Sequence, residues 1–210
     1  LTWPLNLSIY RQMKTDAQVD ALYRGTTYPI RRYTFMIEPN GASEQAVNEL
    51  AEDLNLPIKG QRARTIGRRK GRFSFKSHLK WSLESLIWGH YYFEQVGTIV
   101  DGKWRLKKLA PRPSRIIEAI ESESDGGLKR ILVPSAGGQP FASLAPIDVN
   151  RLVAYVWDQE PGHWTGMSMF RSIYKNWLLK DRLIRIDLIK HDRAGAGMPF
   201  AEAPPGATGP

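Results

Sequence analysis

The sequence predicts an α+β fold. Stretches with apolar residues at helical spacing mix with stretches rich in β-branched and aromatic residues. They do not follow the strict strand–helix alternation of a parallel sheet. The longest helical pattern, residues 166–191, comes last.

The elements read in order as follows. Residues 6–24 form a helix behind a cap-like Asn6 or Ser8, with Ile9, Met13, Ala17, Val19 and Leu22 roughly at helical spacing. Asp16 offers a second N-cap that restarts it. Residues 28–41, after a short break, alternate Ile30, Tyr33, Phe35 and Ile37 with polar residues, as a half-buried strand does. Pro39-Asn40-Gly41 is a turn. Residues 43–54 open with Ser43 and early acidic residues, then set Ala46, Val47, Leu50 and Leu54 on one helix face. Residues 59–72 carry seven cations and no acid, punctuated by Gly60, Gly67 and Gly71, and read as a loop. Residues 74–90 return to helix, with Leu79, Leu83, Leu86 and Ile87 inward, Ser74 or Ser77 as cap and Gly89 as stop. Residues 91–113 form a hairpin turning at Asp101-Gly102. Residues 115–122, 128–134 and 151–158 read as short strands. Asp125-Gly126-Gly127 and Gly137-Gly138 are turns, and the tail from Gly195 is a loop.

The last helix has an unusual wheel. At ~100° per residue, Phe170, Ile173, Tyr174, Trp177, Ile184 and Leu188 form one apolar stripe. Leu179, Leu183 and Ile186 form a second, nearly opposite. Arg171, Lys175 and Arg182 fall on a strip between them. A helix lying on a monomer needs one apolar stripe. Two stripes suggest protein contact on both flanks, with the cations facing water, as between neighbouring helices of a ring. The pattern equally suits a helix buried in its own domain with its cations snorkelling outward. Asp181 and Asp187 argue against a membrane-surface helix.

Composition bounds the function. A chain of 210 residues, 42% hydrophobic and 24% charged, can bury a sizeable core. Its net charge of +9 and pI of 9.8 point to an anionic partner or to a solvated basic surface. The absence of cysteine excludes disulfides, thiolate metal sites and cysteine nucleophiles. No stretch reaches the ~18 apolar residues of a membrane span, and no signal peptide opens the chain. Both ends look cut, as in a piece of a longer protein.

Motifs for chemistry are sparse. The glycines of the basic loop lack phosphate-loop spacing, and no GK[ST] occurs. His78, His90, His163 and His191 lack metal-ligand spacing and read as surface or internally satisfied residues. Glu118, Glu121, Glu123 and Asp125 could hold a divalent cation, but read better as a solvated hairpin tip. No GxSxG is present. An enzyme is not expected, and neither is a cofactor or a metal. In the basic loop, Arg62, Arg64, Arg68, Arg69, Lys70 and Arg72 could contact phosphates. The loop equally reads as solvated or as pairing with an acidic neighbour, because no aromatic residue is interleaved for base stacking.

Four stretches in order carry a resemblance. Residues 8–41 open with Met13 and Asp16, continue as helix, then Pro29-Ile30 and an aromatic strand. Residues 75–96 end a helix in Gly89, aromatics and Glu94. Residues 104–117 read Leu-x-x-Leu-x-Pro-Arg, ending at Arg112. Residues 166–199 read Gly-x-Ser-x-x-Arg, with a central Lys and a later Gly-x-Pro. Together they cover about half the chain, and the chain resembles the portal proteins of tailed bacteriophages, closest to the Mu-like group and its actinobacterial-phage relatives.

The resemblance implies a homo-oligomeric ring, usually of twelve copies, at one capsid vertex. It implies a channel for double-stranded DNA during packaging and ejection, with the terminase motor, the major capsid protein and a head–tail adaptor as partners, and no membrane. On that view residues 1–160 are a wing-like α+β domain, 161–194 a stem-like helix, and 195–210 a loop towards a clip. Phe170, Ile173, Trp177, Leu179, Leu183, Ile184, Ile186 and Leu188 would pack against neighbouring subunits. Arg171, Lys175 and Arg182 could face the channel. Family members run on for a few hundred residues more, with a second stem helix and a tunnel-lining helix beyond the stretches matched here. The alternative is a small basic module that binds nucleic acid non-specifically without forming a ring.

Overall fold

The computed structural model describes residues 2–61, 73–135, 144–195, 197 and 206. The fold is α+β. Six α-helices and six strands appear among the described residues: α1 Asn6–Lys14, α2 Ala17–Arg32, α3 Glu44–Leu54, α4 Phe75–Ser82, α5 Ser85–Trp88, β1 His90–Val100, β2 Lys103–Arg112, β3 Ala119–Ser122, β4 Leu128–Pro134, β5 Leu144–Asp148, β6 Leu152–Val156 and α6 Met169–Gly195. The chain divides into two compact units, Leu1–Arg171 and Ser172–Pro210. No helix among the described residues is long and apolar enough to cross a membrane.

Local chemistry explains most boundaries. Asp16 restarts the chain as expected: its Oδ1 accepts from the backbone N–H groups of Gln18 (3.0 Å) and Val19 (3.3 Å), satisfying donors that a helix start leaves orphaned. Ser43 and Ser74 cap α3 and α4 through Ala46 (3.3 Å) and Ser77 (3.4 Å). Asp101 and Gly102 take φ of +50° and +74°, the primed turn whose twist matches the β1–β2 hairpin.

Neither Asn6 nor Ser8 caps α1, whose N-cap is Leu5 without a side-chain hydrogen bond. The strand expected over 28–41 is absent. α2 runs on to Arg32 with Pro29 in its last turn, where few following N–H groups depend on the interrupted ladder. Thr27 is buried and donates to the Tyr23 carbonyl at 2.8 Å, extending the packed face of α2. Residues beyond it are extended, but their sheet pairing is a single parallel bridge, Ile37 to Ile58. α3 forms as expected, and of its apolar face Val47 is buried, Leu54 half-buried, and Ala46 and Leu50 exposed. Polar contacts also hold α3. Arg105 on β2 donates from Nε (3.0 Å) and Nη2 (2.8 Å) to Asp53, whose other oxygen accepts from the Leu106 N–H at 3.0 Å. Lys103 adds a pair with Glu49 at 3.1 Å.

The described strands form two antiparallel sheets, ordered β2-β1-β6 and β3-β4-β5. β5 escaped the sequence reading because Pro146 interrupts its pattern. Its edge position tolerates a residue without an N–H. Period-two alternation along β1 joins two cores. Tyr92 faces a cluster with Ile117, Leu128, Ile131, Val133, Ile147 and Leu152. Phe93 packs against His78 (ring centroids 4.2 Å apart) and Tyr155 (5.8 Å).

Candidate functional site

Three residues at and just before the start of α6 pack within the first unit. Gly166 takes a positive φ of +59° and packs backbone to backbone on Gly89, itself at φ +88°. Only glycine fits such an approach without strain. Ser168 donates its hydroxyl to the Ile87 carbonyl and accepts from the Phe170 N–H at 3.0 Å, so one side chain ties the helix start to α5 and caps it. Phe170 is fully buried and meets Tyr10 edge-on, with ring centroids 6.1 Å apart. It therefore anchors the helix in its own chain and has no surface to offer a neighbour, unlike the role expected for it.

β1 carries a second fixture. Glu94 shares a face with His90 and Tyr92, and its side chain is 9% exposed. One carboxylate oxygen accepts from Arg112 and the other from Arg151. The sheet register explains the meeting: Tyr92 lies opposite Arg112, and Glu94 opposite Leu152, the residue after Arg151. The pair of Glu94 and Arg112 joins two of the stretches that carry the portal resemblance. The contribution of Arg151 was not visible in the sequence. A charged residue inside an aromatic strand was the available signal.

Along the rest of α6 most side chains are exposed from residue 182 on. Leu179, Leu183, Ile184, Ile186, Leu188 and Ile189 are all exposed, Leu183 at 64% and Ile186 at 62%. Ile173 and Trp177 are half-buried, and the Trp177 ring lies 6.2 Å from that of Tyr174. Arg171, Lys175 and Arg182 are exposed on the helix. Asp181 is engaged by Arg185 at 2.9 Å and Asp187 by His191 at 3.6 Å. The exposed apolar side chains thus come from both stripes of the helix, not from one face.

The other candidates separate. Arg62, Arg64, Arg68, Arg69, Lys70 and Arg72 lie outside the described residues, as does the expected turn at Gly137-Gly138. Glu121 pairs with Arg130 across the β3–β4 hairpin at 2.7 Å, and Glu123 and Asp125 are exposed at its tip. No group of three or more metal-ligating side chains occurs among the described residues. His78 and His90 are buried, and each is hydrogen-bonded through one nitrogen, to the Tyr155 hydroxyl (2.9 Å) and the Thr165 carbonyl (2.8 Å). Burial pushes both down to about 4.

The described residues form a mixed α+β unit followed by a long helix with exposed apolar and cationic side chains. The family is specific: the chain belongs to the family of the portal protein of Mu bacteriophage, whose model matches residues 7–209. It is a family of phage structural proteins. No curated protein matches the chain.

Proposed function

We propose that this chain is a subunit of a portal ring at the capsid vertex of a tailed phage, non-catalytic and placed in the virion. The ring forms the channel for double-stranded DNA during packaging and ejection, and joins capsid to neck or tail. Its partners are further copies of the chain, DNA held by non-specific electrostatics, the terminase motor, the major capsid protein and a head–tail adaptor.

The observation that carries this reading is the run of exposed Leu and Ile side chains from Leu179 to Ile189. Each large apolar side chain covered by a neighbour contributes about 1.5–3 kcal/mol, so a copy-to-copy contact there is strongly favoured. On this reading residues 161–194 act as a stem, with Ile173, Trp177, Leu179, Leu183, Ile184, Ile186 and Leu188 at subunit contacts. Arg171, Lys175 and Arg182 then face the channel or solvent. The test is the mass of the purified protein by mass photometry, with end-on electron micrographs. A closed ring near twelve copies is expected. A monomer that binds nucleic acid would overturn the ring in favour of a small basic binding module.

A further inference from the structure

A cleft of about 410 Å³ opens on the body between α1, α5 and the segment following β2. Its charged lining is Arg11, Lys14 and Arg115 against Glu84, and its apolar lining is Leu7, Trp88 and Pro113. The charges divide unequally. Lys14 pairs with one oxygen of Glu84 at 3.3 Å, and the Trp88 indole N–H donates to the other at 3.1 Å. That leaves the guanidiniums of Arg11 and Arg115 with no hydrogen bond or ion pair among the described residues. Two uncompensated guanidiniums thus flank an aromatic wall in a concavity of the size that binds small groups.

We propose that this cleft binds an acidic segment of a partner protein. Arg11 and Arg115 bind an Asp or Glu carboxylate, and an adjoining apolar side chain lies against Leu7 and Pro113. Arginine suits this role because its planar fork accepts a carboxylate in two-point fashion. A concave cleft does not accommodate the convex surface of duplex DNA. The inference rests on the cleft alone, independently of ring formation.

The test uses the full chain and a fluorescein-labelled peptide of alternating Asp and Leu, followed by fluorescence anisotropy. A Lys–Leu peptide and a labelled DNA duplex serve as comparisons. Saturable binding of the Asp–Leu peptide that weakens with added salt is expected. Arg11→Ala and Arg115→Ala should each weaken it about threefold to tenfold. Arg32→Ala, an exposed cation outside the cleft, should leave it unchanged. Both cleft arginines are exposed, so circular dichroism should show the fold intact. Absence of saturable binding would overturn the proposal. So would equal weakening by Arg32→Ala, or a loss of duplex binding in the cleft variants that exceeds the loss of peptide binding.

Discussion

A Cβ added to Gly166 would lie 2.3 Å from the Gly89 carbonyl oxygen, and one added to Gly89 would lie 3.0 Å from the Gly166 carbonyl oxygen. The two backbones therefore share one space, and the root of α6 depends on neither residue having a side chain. Gly166→Ala combines overpacking against backbone with a positive-φ penalty, and should cost about 2–4 kcal/mol. Gly25→Ala is the contrast. Gly25 lies within α2, and a Cβ there meets nothing within 4 Å. It should stabilise the chain by about 0.4–1 kcal/mol. Urea unfolding of both variants checks the pair, and equal effects would contradict the geometry.

Glu94 holds two guanidiniums from a nearly buried position. Glu94→Gln keeps the shape but removes the charge, leaving Arg112 with a buried Nε that already lacks a partner. The expected loss is about 2–4 kcal/mol, because breaking a buried pair strands the opposite charge. Arg151 is 57% exposed, so Arg151→Ala should cost under about 1 kcal/mol. Denaturant midpoints that rank Arg151→Ala above Glu94→Gln in cost would contradict the assignment of Glu94 as the centre of the triad.

Acid should unfold the body through its two buried histidines. Both are depressed to about 4 in the folded chain by burial, against an ordinary value near 6.5. The unfolded chain therefore binds more protons between these values. Stability is full above about pH 6.5 and is lost progressively as pH falls towards 4. For His90 the slope approaches about 1.4 kcal/mol per pH unit, since its Nδ1 donates to the Thr165 carbonyl and its bare Nε2 would receive the second proton without a partner. His78→Phe keeps the ring packing on Phe93 but cannot titrate. It should lower stability at pH 7.5 by about 1 kcal/mol, through the lost Tyr155 contact, and should flatten the decline between pH 6.5 and 4. Urea unfolding across that range would count against the idea if the variant and the parent lost stability in parallel.

Much of this architecture was legible because short-range chemistry fixed it. Asp16, Ser43, Ser74 and the Asp101-Gly102 pair act on backbone groups two or three residues away, and their signals survive in isolation. The failures are long-range. Nothing local to residues 33–38 says that they lack a strand neighbour. Nothing within α3 says that Asp53 will be gripped by Arg105, 52 residues later. The root of α6 was partly legible. Gly89, Glu94, Arg112, Gly166 and Ser168 all belong to stretches that carried the portal resemblance. Only the folded chain pairs them, Gly89 with Gly166 and Glu94 with Arg112. Phe170 was misassigned because a helical wheel records which residues share a face, not where its own domain ends.

The outer part of α6 separates folding from assembly. Leu183 and Ile186 are mostly exposed in the single chain, so Leu183→Asp and Ile186→Asp place a charge in water and should change the stability of the body by less than about 0.5 kcal/mol. In a ring that covers these positions, the same carboxylate would be buried without a partner, at a cost of several kcal/mol per subunit. Repeated at each contact, that cost should dissolve the ring. Mass photometry should then show the parent as a closed oligomer and the double variant as monomers or small open assemblies, with matching circular dichroism spectra. Ile184→Asp, at another exposed position of the same helix, should behave likewise. A double variant that still closes into a full ring would remove α6 from the subunit contact, and the ring would have to be held by the body alone.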